Sequence, residues 1–510
     1  MGPERPLGDL SWHPEPALLD LRHPGSRAAL EALGSATWRE ALDYLFGEAL
    51  RRPVGPDSYP ELRARFFGPD GRPGSRPEAP QTSEALMAEF RRRLAPYQYS
   101  ASHPRSFSYF TPPALPLSIA GEVLAQWTNQ GVDVWHAGPS AAFVEEEVVS
   151  WLVDLVGLGK DGFGVLTSGG VMANFMALAL MRDRHLGKKR GGARPRGSAL
   201  EGVRVYASDQ AHFSIARALD LLGFPQETLS VLPSDAEFRL SGAACEAAIV
   251  RDRAAGLLPL GIAAVAGTTN TGSVDRLPEL GALAAREGLW FHVDAAYGGA
   301  ARLSLRDAPR VPGLEAADSV TIDPHKWFFQ AYDIGGLVVK RRDDLPATFH
   351  HDPEYYRSSL PESQPLNWYQ YSFEGTRRFR ALKLWLSWKH LGTAGLGRLV
   401  EANNDLAAYL VKRLEETPGF EIVPSRPDLS IVCFRYLAPG SEEGEALDRE
   451  QDHLQRALEV SGEAWVSTTR LRGRTYLRAG VMNYFSTTSD VDCLVETLAG
   501  IARGRKGAQP

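Results

Sequence analysis

Cysteine is scarce in this chain: Cys245, Cys433 and Cys493 are the only three in 510 residues, and they lie far apart in no metal-ligand spacing. That excludes a disulfide framework or a thiolate metal centre and fits reduced thiols in a reducing compartment. Long hydrophobic runs are absent too. The longest, Leu257–Ala266, contains Pro259 and Gly261 and is too short to span a bilayer. Met1-Gly-Pro-Glu-Arg-Pro6 lacks the apolar core of a signal peptide, and Pro6 and Leu7 stand where a myristoylation signal wants Ser or Thr. Positive charge is not in excess either. A formal net charge of −6 gives no electrostatic case for a nucleic-acid or anionic-membrane partner. The glycine-containing turn Thr167–Asn174 has neither the P-loop nor the dinucleotide-binding spacing, and there is no internal repeat. The expectation is a soluble, cytoplasmic protein that takes a small-molecule partner.

What is present is ordinarily globular, with 44% hydrophobic, 23% charged and 9% aromatic residues. The length predicts two or three domains. Leu30, Leu33, Trp38, Leu42, Leu45, Phe46 and Leu50 recur at helical spacing, and the Pro/Gly/Arg-rich stretch 51–80 reads as an irregular arm. Such an arm rarely stabilises itself and is expected to pack on a partner subunit. From about residue 100 to 374, short apolar runs (164–166, 203–206, 262–266, 290–293 and 320–322) alternate with helical stretches. That alternation predicts an α/β fold with a mostly parallel central sheet and helices on both faces. The basic, glycine-rich segment 186–202 reads as a solvated loop. A helix through Phe379 and Trp388, strands near 429–436 and 475–482, and a last helix from Ser489-Asp490 make a small C-terminal α+β domain. The predicted division is 1–99, 100–375 and 376–510.

Five segments carry candidate chemistry. In Asp318-Ser-Val-Thr-Ile-Asp-Pro-His-Lys-Trp-Phe-Phe329, Lys326 follows an apolar run, with His325 before it and aromatic residues after it. An ammonium rarely sits in such surroundings without a covalent or ionic partner, and a partly desolvated amine can attack an aldehyde. A snorkelling lysine at a strand end is the alternative. Trp290-Phe-His-Val-Asp-Ala-Ala-Tyr-Gly-Gly299 ends an apolar strand in Asp294, at the strand end where parallel sheets hold ligands. A buried carboxylate there needs a cation, such as the protonated pyridine nitrogen of pyridoxal phosphate, unless it only serves a loop hydrogen bond. Thr167-Ser-Gly-Gly-Val-Met-Ala-Asn174 reads as strand, small turn and helix, a phosphate cradle or a plain tight turn. His212 closes another strand, as a ring-stacking and proton-handling group or a structural histidine. The hydroxyl-rich 266–275 offers polar contacts to the same crevice, or a helix cap. Together they place a phosphate cradle, a histidine, an aspartate and a lysine at strand ends of one sheet.

With these segments the chain resembles the group II pyridoxal-phosphate-dependent decarboxylases, the family of the aromatic-L-amino-acid, tyrosine, histidine and glutamate decarboxylases. The matching residues are Ser208-Asp-Gln-Ala-His212, Gly267-Thr-Thr269, His292-Val-Asp-Ala-Ala-Tyr297, Asp323-Pro-His-Lys-Trp327 and Arg377-Arg-Phe-Arg-Ala-Leu-Lys-Leu-Trp385. The resemblance implies a fold-type-I homodimer with active sites at the subunit interface and no metal. It makes Lys326 the Schiff-base lysine, Asp294 the partner of the pyridine nitrogen and His212 the group on the ring face. Thr269 would contact the cofactor's edge or the substrate. Gly169, Gly170, Asn174 and His325 would lie along the phosphate, with Tyr109, Phe110 and Arg478 on the substrate side.

Two departures from the family pattern matter. In the family a loop after the lysine carries a tyrosine that returns a proton to the substrate carbon; here Trp368 falls on that place. Tyr369 is the expected donor, with Tyr371 close by and Tyr355 and Tyr356 earlier. Should no tyrosine serve, oxygen intercepts the reaction and an aldehyde results; carbon–carbon lyase chemistry is a further alternative. Asp133 stands where aromatic-amino-acid enzymes present an aromatic side chain, which disfavours a wholly apolar substrate pocket unless Asp133 is structural. The expected activity is decarboxylation of an L-amino acid, with the cluster Tyr109, Phe110, Trp135, Trp368 and Tyr369 favouring an aromatic one.

Overall fold

The computed structural model describes residues 10–55, 57–351, 353–354, 366–438, 440 and 444–504. The chain divides into two compact units. One comprises Met1–Ser106, His453–Trp465 and Phe485–Pro510, the other Phe107–Asp452 and Val466–Tyr484.

The second unit is built on strands β1 (Phe163–Thr167), β2 (Val203–Ser208), β3 (Leu229–Leu232), β4 (Leu258–Val265), β5 (Trp290–Asp294), β6 (Ser319–Ile322) and β7 (Gly335–Val339). They form one sheet in the order β1-β7-β6-β5-β4-β2-β3. Only β7 runs against its neighbours, so the sheet is mostly parallel, as the alternating pattern predicts. Every residue of β1, β5, β6 and β7 is buried, which is why β1, β5 and β6 read as continuous apolar runs rather than alternating ones. Covering Trp290, Phe291 and Val293 alone withdraws side chains worth about 1.5–3 kcal/mol each. The helix Gly170–Leu180 is apolar almost all round and is accordingly buried, from Ala173 to Leu180 with one partial exception at Phe175.

Parallel direction brings the last residues of β1, β2, β4, β5 and β6 to one edge of the sheet: Thr167, Ser208, Val265, Asp294 and Ile322. Antiparallel β7 begins at that same edge with Gly335. A second, antiparallel sheet in the order β10-β11-β9-β8 is made by β8 (Phe420–Ile422), β9 (Ile431–Tyr436), β10 (Ser467–Leu471) and β11 (Arg474–Gly480). Arg478 lies on β11, opposite Cys433 and Ser467.

The first unit holds the helix Ser26–Phe46 and the last helix, Thr488–Gly504. The stretch 51–80 is not wholly irregular, because a helix, Tyr59–Phe67, forms within it. Its start is fixed by a capping box between Ser58 and Glu61, with Pro60 in the first turn where a missing N–H costs nothing. In the second unit, helical structure also runs on through Leu186 to Lys189 before the basic loop begins.

Candidate active site

At the shared strand edge opens a cavity of about 370 Å³, within the range of small-molecule sites. Gly169, Gly170, Asn174, His212, Thr269, Asp294, His325 and Lys326 all line it. The sheet direction alone explains the convergence, since each follows or ends a strand that runs to this edge.

Lys326 has an ionic partner. Its Nζ is 3.1 Å from Asp323 Oδ2, on a carboxylate only 2% exposed, and 5.4 Å from the Phe110 ring centroid. Asp323 Oδ1 is buried without a hydrogen bond. His325 turns Nδ1 to Ile334 O at 2.5 Å, so Nδ1 carries the proton and donates. Burial holds this imidazole below its ordinary pKa against the pull of Asp323.

Asp294 is buried at the end of β5. Its Oδ2 accepts from Asn174 Nδ2 at 2.8 Å and its Oδ1 from the Ala296 N–H at 3.1 Å. Both donors are neutral, and among the described residues no cation lies within ion-pair distance. A carboxylate so placed is the partner a protonated pyridine nitrogen needs. Asn174 in turn donates to Ser214 Oγ (2.8 Å) and accepts from Thr321 Oγ1 (2.7 Å) and His292 Nε2 (3.0 Å). His212 bonds Ser214 through Nδ1 at 2.8 Å. Burial, with Lys326 adding to it, keeps His212 neutral-leaning, its pKa below the usual value.

The glycines are there because nothing larger fits. A Cβ on Gly170 would stand 2.8 Å from Asp323 Oδ2, and one on Gly335 would stand 2.5 Å from Gly169 Cα. Backbone therefore approaches backbone where β1 turns into the helix Gly170–Leu180, leaving main-chain N–H groups at a helix start for an anion. Cradle, carboxylate and lysine together fit pyridoxal phosphate. Behind the turn, buried Arg377 forms an ion pair with Glu145 and donates to Leu166 O at 2.8 Å, while Leu166 N donates to Glu145 at 3.1 Å. That pair satisfies the outer edge of β1 two residues before Ser168.

Phe110 lines the cavity; Arg478 does not, but lies behind it, 4.6 Å from the Phe110 ring. Arg478 is 5% exposed; its Nε donates to Thr269 O (3.0 Å) and Asn270 O (3.1 Å), and its Nη2 is buried without a partner. Burial lowers its pKa. Tyr109 is 56% exposed and does not line the cavity. The aromatic cluster inferred from sequence is not gathered there: Trp368 stacks on Phe163 at 5.6 Å, at the far end of β1. Tyr369 is buried beside it, outside the cavity lining, with its N–H on Asp133 O. Tyr371 packs on Phe163 as well. Tyr355 and Tyr356 lie outside the described residues.

Sequence reasoning gave no role to Asp323, Ser214, His292 or Thr321. For Asp323 the signal was its place three residues before Lys326; the others emerge only through long-range contacts with Asn174. A larger cavity, about 1020 Å³, opens near the other ends of the strands beside Trp290 and Asp318. Its Arg184 and Arg341 are spent on Asp344 and Asp318, and it gathers no comparable reactive set.

A family model described as the pyridoxal-dependent decarboxylase conserved domain matches residues 70–437. An aromatic-L-amino-acid decarboxylase from Bacillus atrophaeus is 33% identical over 76% of this chain and 79% of its own length. An L-2,4-diaminobutyrate decarboxylase from Rhizobium meliloti is 33% identical over 84% and 83%. A phenylacetaldehyde synthase from Arabidopsis thaliana is 30% identical over 80% and 84%. The crystal structure of Oryza sativa TDC with PLP and tryptamine superposes with a TM-score of 0.85 at 26% identity, covering 94% of this chain and 99% of that one.

Proposed function

Because this chain belongs to the pyridoxal-dependent decarboxylase family, a family of carboxy-lyases using pyridoxal phosphate, we propose that it converts an L-amino acid, preferably an aromatic one, to the amine and carbon dioxide. The observation that carries this reading is the single cavity lined by Lys326, Asp294, His212 and the Gly169-Gly170 turn. Bound pyridoxal phosphate supplies an aldehyde for the amine and a ring that takes up the electron pair left when carbon dioxide departs.

The residues divide that work. Lys326 would hold the cofactor's aldehyde carbon and yield it to the substrate amine, its charge steadied by Asp323. Asp294, braced by Asn174 and the Ala296 N–H, would keep the pyridine nitrogen protonated. Main-chain N–H groups from Gly170 onward at the helix start would hold the phosphate, with His325 packed beside the turn, and Thr269 would hold the ring edge. His212 would cover the ring face. Phe110 would line the substrate side, and Arg478, buried behind it with Nη2 unpartnered, would turn that nitrogen to the substrate carboxylate, while Tyr109 stays outside the lining. For the proton returned to the substrate carbon, Tyr369 is buried outside the cavity lining, which favours Tyr355 or Tyr356, earlier in the sequence. We keep Tyr369 as a donor only to a second subunit's site.

A homodimer belongs to the proposal, with the arm 1–99 as its contact, the cofactor domain at 100–375 and the small domain at 376–510. Trp12, Leu21, Trp38 and Phe46 expose 50–79% of their surface on that arm, large apolar side chains that a partner subunit would cover. No helix of the described residues is long and apolar enough to cross a membrane; a cytoplasmic site of action is part of the proposal. The similarity to a phenylacetaldehyde synthase supports a second reading, oxidative deamination to an aldehyde. Incubating the cofactor-loaded protein with each common amino acid, while scoring amine, aldehyde, carbon dioxide and oxygen uptake, decides between them. Amine release without oxygen uptake is expected; aldehyde with peroxide selects the second reading, and no carbon dioxide from any amino acid overturns both.

A further inference from the structure

A carboxylate fixes the direction of every proton between Asp294 and His212. Ionised Asp294 can only accept, so the Asn174 atom 2.8 Å from its Oδ2 is the amide nitrogen. The second hydrogen of that nitrogen points at Ser214 Oγ, also at 2.8 Å. The Asn174 oxygen faces the donors Thr321 Oγ1 and His292 Nε2, which agrees with the same orientation. Ser214 Oγ thus accepts from Asn174, and its single hydrogen is left for His212 Nδ1 at 2.8 Å. The Ser214 backbone N–H donates to that nitrogen too, at 3.3 Å. Two donors converge on Nδ1, and a proton placed there would stand N–H against N–H.

We propose that Ser214 is a positioning residue that fixes His212 as the Nε2–H tautomer, so that the ring offers the cavity a hydrogen-bond donor for an anionic group, the carboxylate of an amino acid. The identity of that anion rests on the decarboxylase reading; the tautomer does not. Burial is the largest influence and disfavours protonation of the ring, as do Lys326 and Arg217; Asp294 and Asp323 favour it, and the net direction is that of burial. The donors on Nδ1 act in the same direction as burial, because hydrogen bonds to the neutral form disfavour the charged one. His212 is therefore available as a donor rather than as a base, and Ser214 supplies that polarity without touching the cavity contents.

The test is nitrogen NMR of the cofactor-loaded protein carrying ¹⁵N-labelled histidine, with His212→Gln identifying its resonances among the 12 histidines. The expected spectrum shows an unprotonated Nδ1 and a protonated Nε2 throughout the neutral range. In Ser214→Ala the two tautomers should mix, and the His212 titration midpoint should rise by about one pH unit, the worth of one neutral hydrogen bond. Ser214→Thr, which keeps the hydroxyl, should restore the wild-type pattern. A protonated Nδ1 in the wild type overturns the proposal, and so does Ser214→Ala with unchanged shifts and midpoint. Should Ser214→Ala not fold, the wild-type spectrum alone decides. These spectra need no turnover, so a protein that decarboxylates nothing can still show the tautomer, and an active one can still lack it.

Discussion

Replacing Gly335 by alanine puts a methyl carbon 2.5 Å from Gly169 Cα and 2.7 Å from Asp323 Oδ1, both parts of the cavity wall. The first distance falls about 0.9 Å short of the 3.4 Å at which ordinary contact begins, and the opposing atom is backbone. The strand β7 is buried on all sides, so the turn rather than the strand gives way. Overpacking of this kind costs about 1–3 kcal/mol. If the displaced turn is the phosphate cradle, that cost appears in cofactor binding as roughly a 5- to 150-fold rise in Kd. Gly336 is the matched control: it is the next residue in the same buried strand, but its nearest neighbour to a Cβ is Leu152 Cδ1 at 3.6 Å. Gly336→Ala should bind cofactor as the wild type does and gain about 0.4–1 kcal/mol from a less flexible unfolded chain. The assay is titration of the apoprotein with pyridoxal phosphate, followed by absorbance. Equal affinities for the two alanine variants would refute the assignment of the Gly169-Gly170 turn as cradle.

Arg478→Leu takes the Nε donor from Thr269 O and Asn270 O but also removes a buried charge with an unpartnered Nη2, so it should fold with a modest loss of stability. Its loss of substrate carboxylate binding should raise KM and lower kcat/KM by about 10- to 200-fold, as a charge-assisted hydrogen bond is worth about 1.5–3 kcal/mol; an unchanged KM would remove it from the substrate. Burial holds His292 down at about 4, below the ordinary 6.5, so the stability it contributes is complete above the ordinary value and is lost as pH falls towards 4. Compared with His292→Gln, the wild type should therefore lose about 3 kcal/mol of its relative stability over that window, read from the two unfolding midpoints. Buried Asp275, pushed up to about 7, acts in the opposite sense but cancels in the comparison; a difference that does not vary with pH would contradict the buried neutral imidazole. Tyr355→Phe or Tyr356→Phe should divert product from amine to aldehyde with oxygen uptake and release of ammonia and peroxide. Tyr369→Phe should leave amine dominant, and the reverse outcome restores Tyr369 as donor.

The reactive set was legible because each member ends or follows a strand whose apolar run is unmistakable: Asp294 after Trp290–Val293, Lys326 after Val320–Ile322, Gly169-Gly170 after β1. Once strands are parallel, such positions share an edge, and no long-range contact need be known. Ser214, Thr321 and His292 were hidden for the opposite reason. Nothing local marks them, and their roles follow from where the Asn174 amide points. The antiparallel β7 was missed because Gly335-Gly-Leu-Val-Val339 is short and glycine-led. The helix Tyr59–Phe67 was overlooked although Ser58-Tyr-Pro-Glu61 carries a capping signature, since the surrounding Pro and Gly suggested irregularity. Arg478 was placed by resemblance alone, and its orphaned Nη2 became visible only with the second sheet against Thr269. The aromatic cluster failed as a cluster because Trp368 and Tyr369 are held at the far end of β1.

The central claim is that Lys326 holds the cofactor. Borohydride treatment of the pyridoxal-phosphate-loaded protein, followed by peptide mass spectrometry, tests it directly. The account predicts one stable cofactor adduct, on Lys326, absent from Lys326→Met. An adduct on another lysine, or none on a protein that still decarboxylates, would contradict it.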